Sequence, residues 1–358
     1  MIYNSRKKLI LLHKCIQLMA NVNRWFKRRL QKITHGSYVV SLPVEWVQKE
    51  GLCPHDEVDI ITSDGVVYIF TPRRPEKVNI NLDEISINII KYIILAYYMQ
   101  GADEIFIYSR APIGATVKRN IKETIKKLRG TSISDISLTS LSIKIEDESV
   151  YLSKKTFEDK IEDKFRFIIN IINDLEMALV NNDKEILEEL LERTIDFDTE
   201  YRYLMRLISK MAQYPQYNIF ETPRELIAYA SLIKDMSRSV YHTNKFINIY
   251  YRSSTINPRL TELSGYTLSI YRSVYNLYKT QDLKFAEEIK QNYLTARSLL
   301  EQPKDLSEYE IRRICAYGVA LMDDILNLIL VPRKVKIANE TYLLIIHFYN
   351  FIKFPFST

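Results

Sequence analysis

From about residue 157 to 331, apolar side chains recur at the three-and-four spacing of amphipathic helices. Six stretches carry the pattern: about 157–181, 184–212, 223–250, 258–280, 283–301 and 307–331. Breaks fall between them at Asn181-Asn182-Asp183, Tyr214-Pro215, Asn257-Pro258, Gln281-Asp282 and Gln302-Pro303. Short connections between long helices predict antiparallel neighbours in a bundle, and two triples of helices suggest an internal duplication. Upstream the period changes. Asp83 is placed to cap a helix over Ile85 to Met99, Gly101 ends it, and Glu104 to Tyr108 reads as a strand. A second helix follows at about Ala115 to Leu128, then alternating strands at Ile133 to Leu138 and Leu141 to Glu146. Residues 27–74 read as a basic strand, a glycine turn at Gly36, a short apolar strand closed by Pro43, a helix from Val44 to Gly51, and a hairpin turning at Asp64-Gly65. That unit is too small to bury a core alone, so the pattern predicts a dimer.

Charge adds a direction. The 358 residues carry a formal +6, yet residues 1–44 hold nine Lys/Arg and no Asp or Glu, which leaves the remainder at −3. A basic end on a mildly acidic body points to a polyanion partner, nucleic acid before a membrane surface; a solvated basic tail is the plain alternative. Lys118, Arg119, Lys122, Lys126, Lys127 and Arg129 make the second connector helix basic; a solvated helix face is the first reading and a contact to nucleic acid the second. Only eight glycines occur, which favours long helices over a turn-rich architecture. Cys15, Cys53 and Cys315 form no Cys-x-x-Cys pair, so reduced thiols and a cytoplasmic setting are expected. No apolar run reaches the ~18 residues of a membrane span. His13 and Lys14 interrupt the apolar Leu9 to Leu12, against a signal peptide, and Met19 offers a second start. No P-loop, G-x-S-x-G or His-Glu-x-x-His occurs, and the five histidines do not cluster with Cys or acids, so no enzyme is expected.

The resulting fold class is α+β, mainly α. It divides into a basic extension (1–24), a small β unit (25–75), an α/β connector (76–155), a helical domain (156–335, with repeats at about 157–250 and 258–331) and an apolar tail (336–358) suited to docking on the bundle or a partner.

The run Gly36-Ser37-Tyr38-Val39-Val40-Ser41-Leu42-Pro43, followed by Trp46-Val47, Gly51-Leu52, Asp56-Glu57-Val58 and the closing hairpin, resembles the AbrB/SpoVT (MazE-like) swapped-hairpin family. The resemblance implies two chains interleaving their hairpins into one small barrel that lies on DNA. Carried over by position, Arg28, Arg29 and Lys32 would contact phosphates or base edges, and Gln31, Thr34, His35 and Ser37 would add polar contacts. Some relatives of that fold bind a protein instead.

Asn173 to Leu179, Asn182 to Glu185 and Asp196 to Leu204 resemble PhoU, the phosphate-uptake regulator, in an archaeal form with an AbrB-like front domain. That resemblance implies a phosphate transporter component as partner and a cluster of Fe or Zn held by i, i+4 carboxylates, of which Asp196 and Glu200 keep one pair. Ser237, Tyr241 and Ala316 replace three of the pattern's acids. The combined expectation is a dimeric DNA-binding regulator of phosphate uptake. An interaction protein acting on a phosphate transporter without specific DNA binding, and a metal-binding protein, are the alternatives.

Overall fold

The computed structural model describes residues 26–33, 36–63, 66–71, 75–146, 152–252 and 257–330. The expected extension (1–24), Thr34, His35, the turn at Asp64-Gly65 and the apolar tail lie outside them. The chain divides into two units, Met1–Arg73 and Arg74–Thr358, each with its own architecture.

In the first unit, β1 (Gln31–Lys32) pairs antiparallel with β2 (Tyr38–Val39), in the register Gln31 opposite Val39 and Lys32 opposite Tyr38. Gly36 supplies a positive φ (89°) that the turn needs and that side-chain-bearing residues resist. Helix α1 (Val44–Lys49) follows Pro43, and β3 (Asp59–Ser63) pairs with β4 (Val66–Phe70). Both faces of this second hairpin are apolar: Ile60 opposes Ile69, and Ile61 opposes Tyr68. The two hairpins remain separate two-stranded sheets, and no closed barrel forms among the described residues.

The second unit opens with a four-stranded sheet in the order β5-β6-β8-β7. Strands β5 (Lys77–Asn81) and β6 (Glu104–Tyr108) are parallel, joined through α2 (Ile90–Gln100). Helix α3 (Ala115–Ile125) leads to the antiparallel β7 (Thr131–Ile136) and β8 (Ser140–Ile145). Ile94, Tyr98, Ile121 and Ile125 share a core with Ile105, Ile107 and Ile143 of the sheet. Three expectations shift here. Strand β5 is not among the expected elements, and the first helix begins at Ile90 after a 3-10 turn. Asp83 does not cap it: its carboxylate accepts hydrogen bonds from the Ser109 hydroxyl (2.7 Å) and the Arg110 amide (2.9 Å), which hold it below the usual carboxylate range.

Among the described residues six helices follow: α4 (Lys154–Asn181), α5 (Lys184–Gln213), α6 (Pro223–Arg252), α7 (Pro258–Thr280), α8 (Lys284–Leu299) and α9 (Leu306–Ile329). Local chemistry sets several boundaries. Ser153 caps α4, Asn182 ends it in the left-handed region (φ 53°), and Asp183 at once caps α5 through the amides of Glu185 and Ile186. Asn257 with Pro258 opens α7, and Asp305 opens α9. The two triples meet like on like: α4 packs on α7, and α6 on α9, while α5 and α8 each pack chiefly within their own triple of the bundle. That is the arrangement expected of a duplicated three-helix unit. No helix among the described residues is long and apolar enough to cross a membrane.

Candidate functional site

The basic stretch of the first unit is open to solvent throughout. Arg28, Arg29, Gln31, Lys32 and Ser37 are all exposed, on β1 or the turn and extended chain beside it. The Arg28 guanidinium lies 5.3 Å from the centre of the Phe26 ring and donates to the Lys27 carbonyl. Ser37 uses its backbone carbonyl to accept from Ile33 (3.0 Å), so its hydroxyl is not consumed by the turn. Among the described residues, Lys27, Arg28, Arg29 and Lys32 pair with no carboxylate. Four unneutralised cations within six residues form a short, strongly positive edge suited to phosphate. Beside this edge stands an apolar deficit. None of the described residues of the first unit is buried; Tyr38 (61%), Val44 (63%), Ile60 (60%) and Val67 (61%) keep most of their surface in water.

The acid pair expected to hold metal has a different setting. Asp196 is exposed, while Glu200 receives Arg129 at 3.2 Å and Lys164 at 3.0 Å. Arg129 belongs to the α/β connector and also lies over the Tyr203 ring, 4.7 Å from its centre. Further along α5, Arg206 donates to the carbonyls of Tyr98 (2.9 Å) and Ala102 (2.7 Å), Lys210 meets Asp103 at 2.9 Å, and Gln213 donates to the Gln100 carbonyl. These side chains donate to carbonyls at and just beyond the C-terminus of α2 and place positive charge at its negative end. Gly101 lets them approach: it adopts φ 101°, and a Cβ there would sit 3.0 Å from Lys210 Cγ. Residues 200–213 thus clamp the connector to the bundle, with Glu200 as its first member. Among the described residues no group of three or more His, Cys, Asp or Glu is placed to hold a metal ion.

The seam between α6 and α9 collects polar groups that sequence patterns did not single out. His242 Nδ1 is 2.6 Å from Glu310, and Lys245 reaches the other carboxylate oxygen at 2.8 Å. Burial opposes ionisation of Glu310, but these two partners hold it below the usual carboxylate range. The Tyr317 ring stacks on His242. One turn away, the Ser239 and Tyr271 hydroxyls meet, and Tyr271 donates to the Ile314 carbonyl. Toward the end of α9, Asp324 is buried and pushed up to about 7, mainly by loss of water and then by the charges of Asp235 and Asp323; a hydrogen bond from Ser231 works against the rise. The i, i+3 and i, i+4 spacing shows which helix face each residue occupies, but not which face of a helix some 70–90 positions away it will meet.

No known family pattern matches this chain, and no curated protein matches it. Among solved structures, the phosphate transport system regulatory protein PhoU from Streptococcus pneumoniae is similar at 14% identity and a TM-score of 0.38, over 49% of this chain and 93% of the other.

Proposed function

We infer that the chain is a DNA-binding regulator whose first unit works as a homodimer and whose helical domain is PhoU-like, acting in phosphate uptake. The observation that carries this reading is the combination in the first unit of an unneutralised basic edge with exposed apolar side chains on and beside its hairpins, none of the described residues there being buried. A second copy interleaving its hairpins would cover Tyr38, Val44, Ile60 and Val67 and would set two basic edges side by side. Arg28, Arg29 and Lys32 would then carry the phosphate contacts, with Gln31 and Ser37, and with Thr34 and His35 from outside the described residues, reading polar groups. The PhoU-like part of the reading rests on the Asn173 to Leu204 resemblance and on the like-on-like packing of the helical triples. The clamp along residues 200–213 holds the connector to the bundle, so a partner of the bundle, such as a phosphate transporter component, has a mechanical route to the connector.

Light scattering of the full chain combined with duplex-DNA retardation tests this. The expected result is a mass of two chains and a DNA complex lost in the Arg28→Ala/Arg29→Ala/Lys32→Ala variant. A monomer, or DNA binding that survives the triple change, overturns it. A dimer without DNA affinity would favour the interaction protein, with the first unit serving only to dimerise.

A further inference from the structure

The inner helices α4 and α7 do not close on each other along their whole length. On one side a groove of about 340 Å³ opens between them, lined by Arg166, Ile169, Asn170, Arg272, Tyr275 and Asn276. No carboxylate lines it. Past Arg272 it adjoins a second hollow of about 450 Å³, whose lining includes Ser269, Asn292, Glu176 and Glu262. Arg272 lines both.

The charge balance in the first hollow is uneven. Glu162, beside it, is shared by Arg166, by Lys279 (2.6 Å) and by the Tyr275 hydroxyl (3.0 Å). Arg272 is positioned by a neutral partner, donating to the Asn173 amide oxygen at 3.1 Å. Among the described residues no carboxylate lies within ion-pair distance of it. Arg166 and Lys279 share Glu162 and Arg272 has no carboxylate partner, so these four groups together leave two positive charges at the groove. The side-chain amides of Asn170 and Asn276 make no hydrogen bond among the described residues, so their donors are available. Arg166 gives Nε to the Tyr275 hydroxyl (3.3 Å) and Nη2 to Glu162, which leaves its Nη1, while Arg272 gives one donor to Asn173 and keeps the rest. With the two side-chain amides these donors match a tetrahedral dianion, which accepts several hydrogen bonds at once, better than a halide or a single carboxylate. The second hollow offers acceptors and mixed donors instead, a setting that suits hydroxyl groups.

We propose that this double hollow binds a small phosphate ester, its phosphoryl group held between Arg166 and Arg272 and its hydroxylated body extending past Arg272 toward Ser269, Asn292 and the two glutamates. The site is built by the helical bundle alone and does not depend on the first unit binding DNA. Its ligand would bridge the two triples of the duplicated fold, since α4 belongs to one and α7 to the other.

Calorimetric titration of the full chain at constant ionic strength tests it, with inorganic phosphate, glucose 6-phosphate, glucose and sodium chloride as the probes. Glucose 6-phosphate is expected to bind saturably below about 1 mM. The Arg272→Ala variant should weaken it about tenfold or more, Arg272→Lys should restore only part of the loss, and Arg224→Ala, an exposed arginine outside the groove, should leave it unchanged. Equal affinity for inorganic phosphate would retain the phosphoryl site and remove the part of the proposal that concerns the ester body. No saturable heat from either phosphate up to about 10 mM, an unchanged affinity in Arg272→Ala, or an equal response to sodium chloride would overturn the site. Arg272 is exposed and makes one bond to a neutral side chain, so the unfolding temperature of Arg272→Ala should match the wild type and separate lost binding from lost folding.

Discussion

Replacing Asp324 by asparagine should stabilise the protein above neutral pH and remove most of one pH dependence. Asp324 is 7% exposed on α9, its Oδ2 meets no donor, and it sits near the carboxylates of Asp235 and Asp323. Burial and those charges raise it from 3.8 to about 7. The folded chain therefore binds a proton here that the unfolded chain has released across that interval. Stability is then fully supported below pH 3.8 and falls as pH rises toward 7. At about 1.4 kcal/mol per pH unit, the interval corresponds to a ceiling of about 4 kcal/mol. Because Asp323 is exposed and Asp235 only half-buried, solvent reaches the cluster, and about 2 kcal/mol is the amount expected to be measured. Asparagine keeps the shape and a donor toward Asp235 but takes no charge. Urea unfolding at pH 5 and pH 8 should show the variant gaining about 2 kcal/mol relative to wild type at the higher pH and little at the lower. Equal pH slopes for the two proteins would refute the reasoning.

Other perturbations probe the packing and the clamp. A Cβ at Gly318 on α9 would lie 2.3 Å from Ile270 Cγ2 on α7, and that methyl cannot rotate clear without moving a buried β-branched side chain. Gly318→Ala should therefore cost about 1 kcal/mol net in thermal unfolding, after the better helix propensity of alanine offsets part of the overpacking; stabilisation would contradict the packing. Arg206→Met should cost about 3 kcal/mol, because it removes the donor shared by the Tyr98 and Ala102 carbonyls and one partner of Asp103 inside the fold. Hydrogen exchange should then show faster opening of α2 while α6 and α9 stay protected. Glu200→Gln should cost about 1 kcal/mol through Arg129 and Lys164, with metal content unchanged in elemental analysis. Stoichiometric Fe or Zn that disappears in that variant would give Asp196 and Glu200 the role the PhoU resemblance implies.

The helical half was legible because burial in a bundle imposes the 3.6 period on every helix. The stretches read at 184–212, 223–250 and 258–280 are the helices Lys184–Gln213, Pro223–Arg252 and Pro258–Thr280. Ends were legible where a side chain caps its own helix, as Asp183 does. They were not where the side chain found a better partner far along the chain. Asp83 is the clear case, since Ser109 and Arg110 are brought to it by the β5–β6 pairing. Strand β5 escaped because Lys-Val-Asn-Ile-Asn carries only two apolar residues, and its pairing with β6 supplies the rest of its stability. In the candidate site, exposure of the basic edge followed from its composition. The pairing of Glu200 with Arg129 did not, because it depends on where a residue 71 positions away arrives. His242 is buried against Glu310, which lies 68 positions away, and no local pattern connects them.

The central claim is that the first unit presents paired basic edges to DNA, and the salt dependence of duplex binding tests it most directly. Three cations per chain, doubled in a dimer, predict that the logarithm of the affinity falls linearly with the logarithm of salt with a slope of about −5 from those residues. The Arg28→Ala/Arg29→Ala/Lys32→Ala variant should lose that component. An absence of binding at about 50 mM salt, or the same slope in both proteins, would contradict the account.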